Sequence, residues 1–255
     1  SLPASPPQTA TRMGGKGREK TQGEKDYGLC KRTDFHALRK IWHCSVGCGL
    51  SYCHGFILTR SEGIMLFAFL FSLCLVLEIL RRQSGGLNEL MIKTLGPIMR
   101  AHEVNRLAGT FYYAFGLFFV TMVYPKRVAC LAIIYLSVVD PLASVVGVLL
   151  PKTFRNGQGK SYLGGVVGGS ACVAVGLYYL NYIFEETVQF EVLLTVAIIG
   201  GASAAISELM VPSPPSGTFP FNTDDNFIIP FQTSIVLYGL FYYFDLLSID
   251  CPRFV

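Results

Sequence analysis

Residues 63–80 read GIMLFAFLFSLCLVLEIL. Ser72 and Glu78 are the only polar side chains in this stretch. Crossing the hydrocarbon core of a bilayer takes about 20 mostly apolar residues in a helix, so a run this long with one charge reads as a transmembrane span. No water reaches that depth, so the backbone must bond to itself, and a helix does so within one segment. The run is too continuous for a barrel strand, in which apolar and polar residues alternate.

Six more apolar runs follow from the same reading, at 41–58, 107–124, 128–150, 162–183, 192–210 and 227–247. The expected fold is all-α, a polytopic membrane helix bundle of about seven transmembrane helices. The composition agrees. Hydrophobic residues make up 51% of the 255. Charged residues make up 15%, against about 25% in soluble domains. That balance excludes a disordered chain, collagen, a coiled coil and a basic nucleic-acid-binding domain.

The charge is unevenly spread. Residues 1–43 hold nine Lys/Arg against four Asp/Glu, while residues 44–255 hold twelve against thirteen. The leading segment, Ser1 to about Lys25, is rich in Pro, Gly and Lys and has no apolar run to bury. Residues 1–35 are therefore expected to form a disordered basic cytosolic arm, and residues 36–255 the membrane-embedded domain. The arm lacks the apolar core of a signal peptide, and its charges are not interleaved with aromatics as a nucleic-acid contact would require. The chain does not begin with Met, which points to a fragment or a processed chain. Lys and Arg accumulate on the cytosolic side of membrane proteins. With residues 1–40 in the cytosol, 81–106 (Arg81, Arg82, Lys93, Arg100, Arg106) and 151–161 (Lys152, Arg155, Lys160) fall there too, and acidic 184–191 falls opposite. Lys126 and Arg127 break the pattern.

Small residues recur four apart in the fifth run (Gly164, Gly165, Gly168, Gly169, Ser170) and cluster in the sixth (Gly200, Gly201, Ala202, Ala204, Ala205). Close helix packing explains such faces first, and backbone approach to a bound phosphate second. Residues 87–99 place Leu87, Leu90, Met91, Leu95 and Ile98 at helical spacing, as an interfacial helix would.

Charges inside spans are costly and mark function. Asp140 stands in LSVVDPLASVVG, followed by Pro141, where the helix is expected to break and free backbone carbonyls. Glu208 lies near the end of the sixth run. Glu78 lies within a turn of Arg81 and Arg82, so a local ion pair and a site role are equally open. The loop after the sixth run ends in Asp224-Asp225-Asn226; adjacent carboxylates repel, and hard oxygen ligands suit Mg²⁺. Gly157–Ser161 reads GQGKS, like the tail of a phosphate-binding Walker loop, but Phe154 replaces the first glycine and no strand precedes it. A P-loop fold is excluded, although one Lys and backbone N–H groups still suit phosphate. MRAHEVNR at 99–106 packs Arg100, His102, Glu103, Asn105 and Arg106 just before the third run. Arg39, Lys40 and His43 precede the first run. The run HCSVGCGLSYCH at 43–54 reads as soft membrane packing rather than a metal site.

All these groups fall at one membrane face. Cations there hold polyphosphate, carboxylates hold Mg²⁺, and phosphoryl transfer needs chiefly positioning and charge stabilisation. A membrane-embedded kinase acting on a lipid alcohol fits. A transporter also uses buried charges, broken helices and small-residue faces, but it needs access from both faces.

The stretches RKIWHCSVG (39–47), MRAHEVNRLAGTFYY (99–113), DPLASVVG (140–147), GKSYLGG (159–165), SELM (207–210) and DDNFIIP (224–230) resemble the yeast-type CTP-dependent diacylglycerol kinases. That family sits within a wider group of polyprenol, dolichol and phytol kinases and lipid cytidylyltransferases, which supply the alternative activities. The resemblance implies transfer of the γ-phosphate of CTP to diacylglycerol, giving phosphatidate, with Mg²⁺ or another divalent cation. It also implies residence in the endoplasmic reticulum or nuclear envelope, with the site facing the cytosol. The catalytic residues expected on this basis are Asp140, His102, Glu103 and Lys160. The nucleotide- and phosphate-binding residues are Arg39, Lys40, Arg100, Asn105, Gly147, Gly159, Ser161 and Asn226. The metal ligands are Asp140, Asp224 and Asp225. The family usually places an Arg just after the glycine equivalent to Gly147, where this chain has Val148; Lys152 or Arg155 is the expected substitute.

Overall fold

The structure is a computed structural model that describes residues 37–100, 103–104, 106–150, 155–184, 187–212 and 224–249. The basic arm and expected site residues His102 and Asn105 lie outside the described residues, as do Lys152 and most of the loop before Asp224.

Every apolar run is helical. The order is α1 (Ala37–Tyr52, continuing through a wider π-type turn, Cys53–Ile57), α2 (Arg60–Gln83), α3 (Gly85–Leu95), α4 (Gly109–Val123), α5 (Lys126–Leu149), α6 (Tyr162–Phe184), α7 (Phe190–Met210) and α8 (Asp225–Tyr243). No strand forms among the described residues beyond one isolated bridge, Arg155–Ser161. Helices α2, α5, α6 and α7 are long and apolar enough to cross a membrane. The expected count of about seven crossings thus rests on four full-length spans. Helix α4 is apolar but has 15 residues, about 22 Å of helix against a core of about 30 Å.

Local signals set the boundaries. Thr59 and Glu62 form a reciprocal capping box that starts α2. Ser84 caps α3, and Asp224 caps α8. The amphipathic stretch expected near 87–99 is α3, and Gly96-Pro97 ends it.

Helix α5 is the hub. It packs on α1, α6 and α8, with α4 and α7 also in reach. Of its apolar window 72% is buried, against 17% for α2, so α5 is core and α2 faces lipid. Helix α6 is wedged between α5 and α7 by two glycine rows. A Cβ on Gly164 or Gly168 would meet Ala143 O at 2.5 Å or Val139 at 3.0 Å on α5. On Gly165 or Gly169 it would meet Leu209 at 2.9 Å or Ala205 at 2.8 Å on α7. The small-residue faces therefore pack helix on helix, letting backbones approach closely where lipid supplies no hydrophobic drive between spans.

Pro141 does not break α5, which runs unbroken to Leu149. Proline removes one helical hydrogen bond, freeing the Ser137 carbonyl four residues back, and neighbouring helices tolerate such a gap at membrane depth. The two misplaced cations also find their reason here. Lys126 donates to Leu58 O at 2.5 Å and Arg127 to Leu246 O at 3.0 Å, each closing a chain carbonyl at the far end of the bundle.

Candidate active site

The loop between α5 and α6 is a built turn. Asn156 Oδ1 accepts the N–H groups of Gln158 (3.0 Å) and Lys160 (2.9 Å), and Asn156 N donates to Lys160 O at 2.8 Å. Gly159 takes a φ of 78°, which glycine adopts without strain. Asn156 Nδ2 ties the turn to Leu209 O on α7 at 2.8 Å. Ser161 Oγ accepts Gly164 N–H at 3.2 Å and so caps α6. The Gly147 carbonyl, at the end of α5, accepts Arg155 Nη2 at 2.9 Å.

This turn delivers Lys160 into a ring of acids. Its Nζ donates to Glu208 Oε1 at 2.6 Å and to Asp225 Oδ2 at 3.2 Å. Asp140 completes the set: one carboxylate oxygen each from Asp140 (α5), Glu208 (α7) and Asp225 (α8) lie within 4.8 Å of one another, all three residues buried. Burial alone lowers the pKa of the Lys160 ammonium, but Glu208, Asp225 and Asp140 more than offset this and leave it above the ordinary lysine value. Arg100 Nη2 stands 3.8 Å from Asp225 Oδ2. Its guanidinium is also held above its usual range, since the surrounding carboxylates outweigh its burial.

The structure brings Asp140, Lys160 and Asp225 together, with Glu208 as the third carboxylate. Sequence reading placed Glu208 at this face without a ligand role; the available signal was a lone acid in an apolar run. Asp224 does a different job. Its Oδ1 accepts Asn226 N–H at 3.0 Å as the cap of α8. Burial, then the charge of Asp225, pushes its carboxyl up to about 8.

A second layer surrounds this ring. Arg39 Nη1 lies 3.5 Å from Glu103 Oε1 and also donates to Ile98 O. Lys40, next along α1, is half-buried. His43, which the sequence grouped with Arg39 and Lys40 but gave no role, points Nε2 at Asp140 Oδ2 across 3.8 Å and packs its ring 4.6 Å from Tyr113. Asn226 Nδ2 donates to Gly109 O at 3.3 Å. Glu78 resolves as a structural ion pair. Arg81 binds it bidentately, both contacts 2.8 Å. Arg81 also donates to the carbonyls of Glu103 (3.2 Å), Val104 (3.3 Å) and Arg106. This pair fixes the backbone that carries Glu103. The six described cysteines are free, and none joins a cluster of metal-ligand type.

The donor set suits a hard divalent cation. Three carboxylates offer oxygen ligands, Glu208 Oε2 is buried without a hydrogen-bond partner, and one or two carboxylates plus substrate phosphate is the usual Mg²⁺ environment.

No protein-family model matches the chain, and no solved structure does. Three fungal proteins do. The CTP-dependent diacylglycerol kinase 1 of Saccharomyces cerevisiae is 28% identical over 218 residues, 78% of this chain and 71% of that protein. The protein of the same name in Eremothecium gossypii is 31% identical over 65% of this chain and 55% of its own length. Its counterpart in Schizosaccharomyces pombe is 28% identical over 63% of this chain and 73% of its own. These likenesses, set beside a polytopic helical bundle and its buried charged centre, make the chain similar to the fungal CTP-dependent diacylglycerol kinases and support a membrane lipid kinase.

Proposed function

We propose that the chain transfers the γ-phosphoryl group of CTP to the free hydroxyl of diacylglycerol, giving phosphatidate and CDP. The observation that carries this reading is the single buried centre where Lys160 bonds Glu208 and Asp225 while Asp140 closes the carboxylate triangle. Lys160 and Arg100 pair with members of that triangle, and they hold phosphate oxygens together with Lys40. Asp140, Glu208 and Asp225 hold Mg²⁺, which when bound neutralises charge on the transferring group. The lipid oxygen forms a bond to the γ-phosphorus as the bond to CDP breaks. Asp140 Oδ2, facing the His43 imidazole, receives the hydroxyl proton. The names of the fungal relatives support CTP as donor and diacylglycerol as acceptor. The positive flanks near the site support an opening to the cytosol, and the resemblance to the yeast-type enzymes supports residence in the endoplasmic reticulum or nuclear envelope.

Radiolabelled CTP tests the proposal. Purified protein in mixed micelles with diacylglycerol and Mg²⁺ should move γ-label into the lipid and leave α-label in the aqueous phase. Transfer of α-label, with phosphatidate as acceptor, would make the chain a cytidylyltransferase and overturn the reading.

A further inference from the structure

Beside the carboxylate triangle, at the start of α4, lie two buried acceptors that receive no hydrogen bond among the described residues: Glu103 Oε1 and Asn226 Oδ1. Both residues are 2% exposed. They come from different elements, the turn at 103–104 and the first turn of α8, yet they converge on Gly109. A Cβ at Gly109 would lie 3.1 Å from Asn226 Nδ2, 3.1 Å from Glu103 Oε1 and 3.2 Å from Arg39 Nη2. One spot is thus ringed by one acceptor lacking a donor and by two donor groups, with the second such acceptor, Asn226 Oδ1, on the same amide as one of those donors, and glycine keeps side-chain bulk out of it. The neighbouring polar atoms are oriented by the protein. Glu103 Oε2 accepts Arg100 N–H at 3.2 Å, and Asn226 Nδ2 is oriented by Gly109 O. Arg39 Nη1, at 3.5 Å, balances the charge of Glu103 without hydrogen-bonding Oε1.

Buried acceptors are normally satisfied, and unsatisfied ones call for an explanation. The hydroxyl of diacylglycerol brings one O–H, whereas the amino group of a nucleobase brings two N–H donors. Cytosine sets its amino group beside a ring nitrogen and a carbonyl that both accept, which matches the Asn226 and Arg39 donors. Uracil would turn its O4 lone pairs toward the Glu103 carboxylate. The spot also adjoins the phosphate centre. Asn226 follows Asp225 on α8, and Arg100 links the two through its backbone bond to Glu103 and its guanidinium beside Asp225.

Resting on the reading that CTP is the donor, we propose that Glu103, Asn226 and Arg39 form the pocket that reads the amino edge of cytosine. Glu103 is then a specificity residue for the nucleotide. Glu103→Gln offers the base a donor as well as an acceptor, so it should accept uracil better.

The test measures kcat/KM for CTP and UTP in wild-type protein and in Glu103→Gln. The wild type should prefer CTP, and the variant should lose about tenfold of that preference, mostly through KM. Asn226→Ser should move the same ratio. Equal loss of turnover with both nucleotides, leaving the ratio unchanged, would overturn the proposal and hand Glu103 to the acceptor hydroxyl. Competition of CMP and UMP against a fluorescent CTP analogue, in detergent without lipid, reads the same preference independently of catalysis. If the wild type transfers no phosphate from any nucleotide, the kinase reading fails, and this binding comparison still decides the pocket: CMP favoured supports it, no preference sinks it.

Discussion

Asp140 is one of three buried acids around one half-buried lysine, and its contribution separates from the others by what its loss leaves behind. Asp140→Asn keeps the shape and removes a charge, so the fold should hold while phosphoryl transfer falls more than about a hundredfold, the usual scale for losing one electrostatic partner of a transition state. Scanning fluorimetry in detergent should show an almost unchanged melting point; near-normal turnover would remove Asp140 from the chemistry. Lys160→Met is different in kind. It strands Glu208 and Asp225 as buried carboxylates, and breaking a buried pair from one side costs about 3–5 kcal/mol. It should therefore lower the melting point and raise KM for CTP together. A loss of CTP affinity at unchanged stability would contradict the ion-pair network seen around Lys160. Asp140 and Glu208 were readable in the sequence because each stands alone in an apolar run, and Lys160 because it sits in a glycine-flanked loop. The division of labour between Asp224 and Asp225 was not. Successive side chains on a helix point about 100° apart, and nothing local says which of two adjacent aspartates caps α8 and which turns inward. The convergence of Glu103 and Asn226 on Gly109 was equally hidden, because it joins positions far apart in the chain.

At the scale of elements, length and hydropathy located the helices but could not rank them. Lipid is as apolar as a protein core, so the most apolar run, α2, is the most exposed of the four long spans, while α5 is the buried hub. The expected break at Pro141 failed for a related reason: the rule that proline ends a helix assumes water nearby to favour the broken form, and α5 has neighbours instead. The glycine rows were the most informative pattern, since four-residue spacing on two adjacent faces of α6 matches the two helices that flank it. That arrangement is testable. Gly168→Leu should force α6 away from Val139 on α5 and destabilise the bundle by about 1–3 kcal/mol or more. Gly49→Ala, where an added Cβ meets nothing within 4 Å, should leave the melting point unchanged. Equal melting points for the two variants would show that α6 is not wedged as described.

Across the whole molecule, polarity is sorted by end. The N-terminal ends of α1, α4, α6 and α8 and the C-terminal parts of α5 and α7 bring their charged groups to one end of the bundle. At the other end, Lys126 and Arg127 are occupied by the carbonyls of Leu58 and Leu246, and Arg127 also lies over the Phe184 ring at 5.8 Å. The buried N-terminal half of α5, from Val128 to Leu136, is lined largely by apolar side chains. This is the layout of an enzyme that meets a water-soluble donor at one surface, and it differs from that of a transporter, which must open to both. Sealed proteoliposomes holding the protein in both orientations separate the two. CTP is charged and cannot cross the bilayer, so CTP supplied only outside should phosphorylate lipid through one population, and CTP trapped only inside through the other. The two yields should add up to the yield after detergent opens the vesicles. If CTP on either side alone reached the full yield, the centre would be open to both faces, and the one-ended architecture argued from the gathering of the charged groups at one end would be wrong.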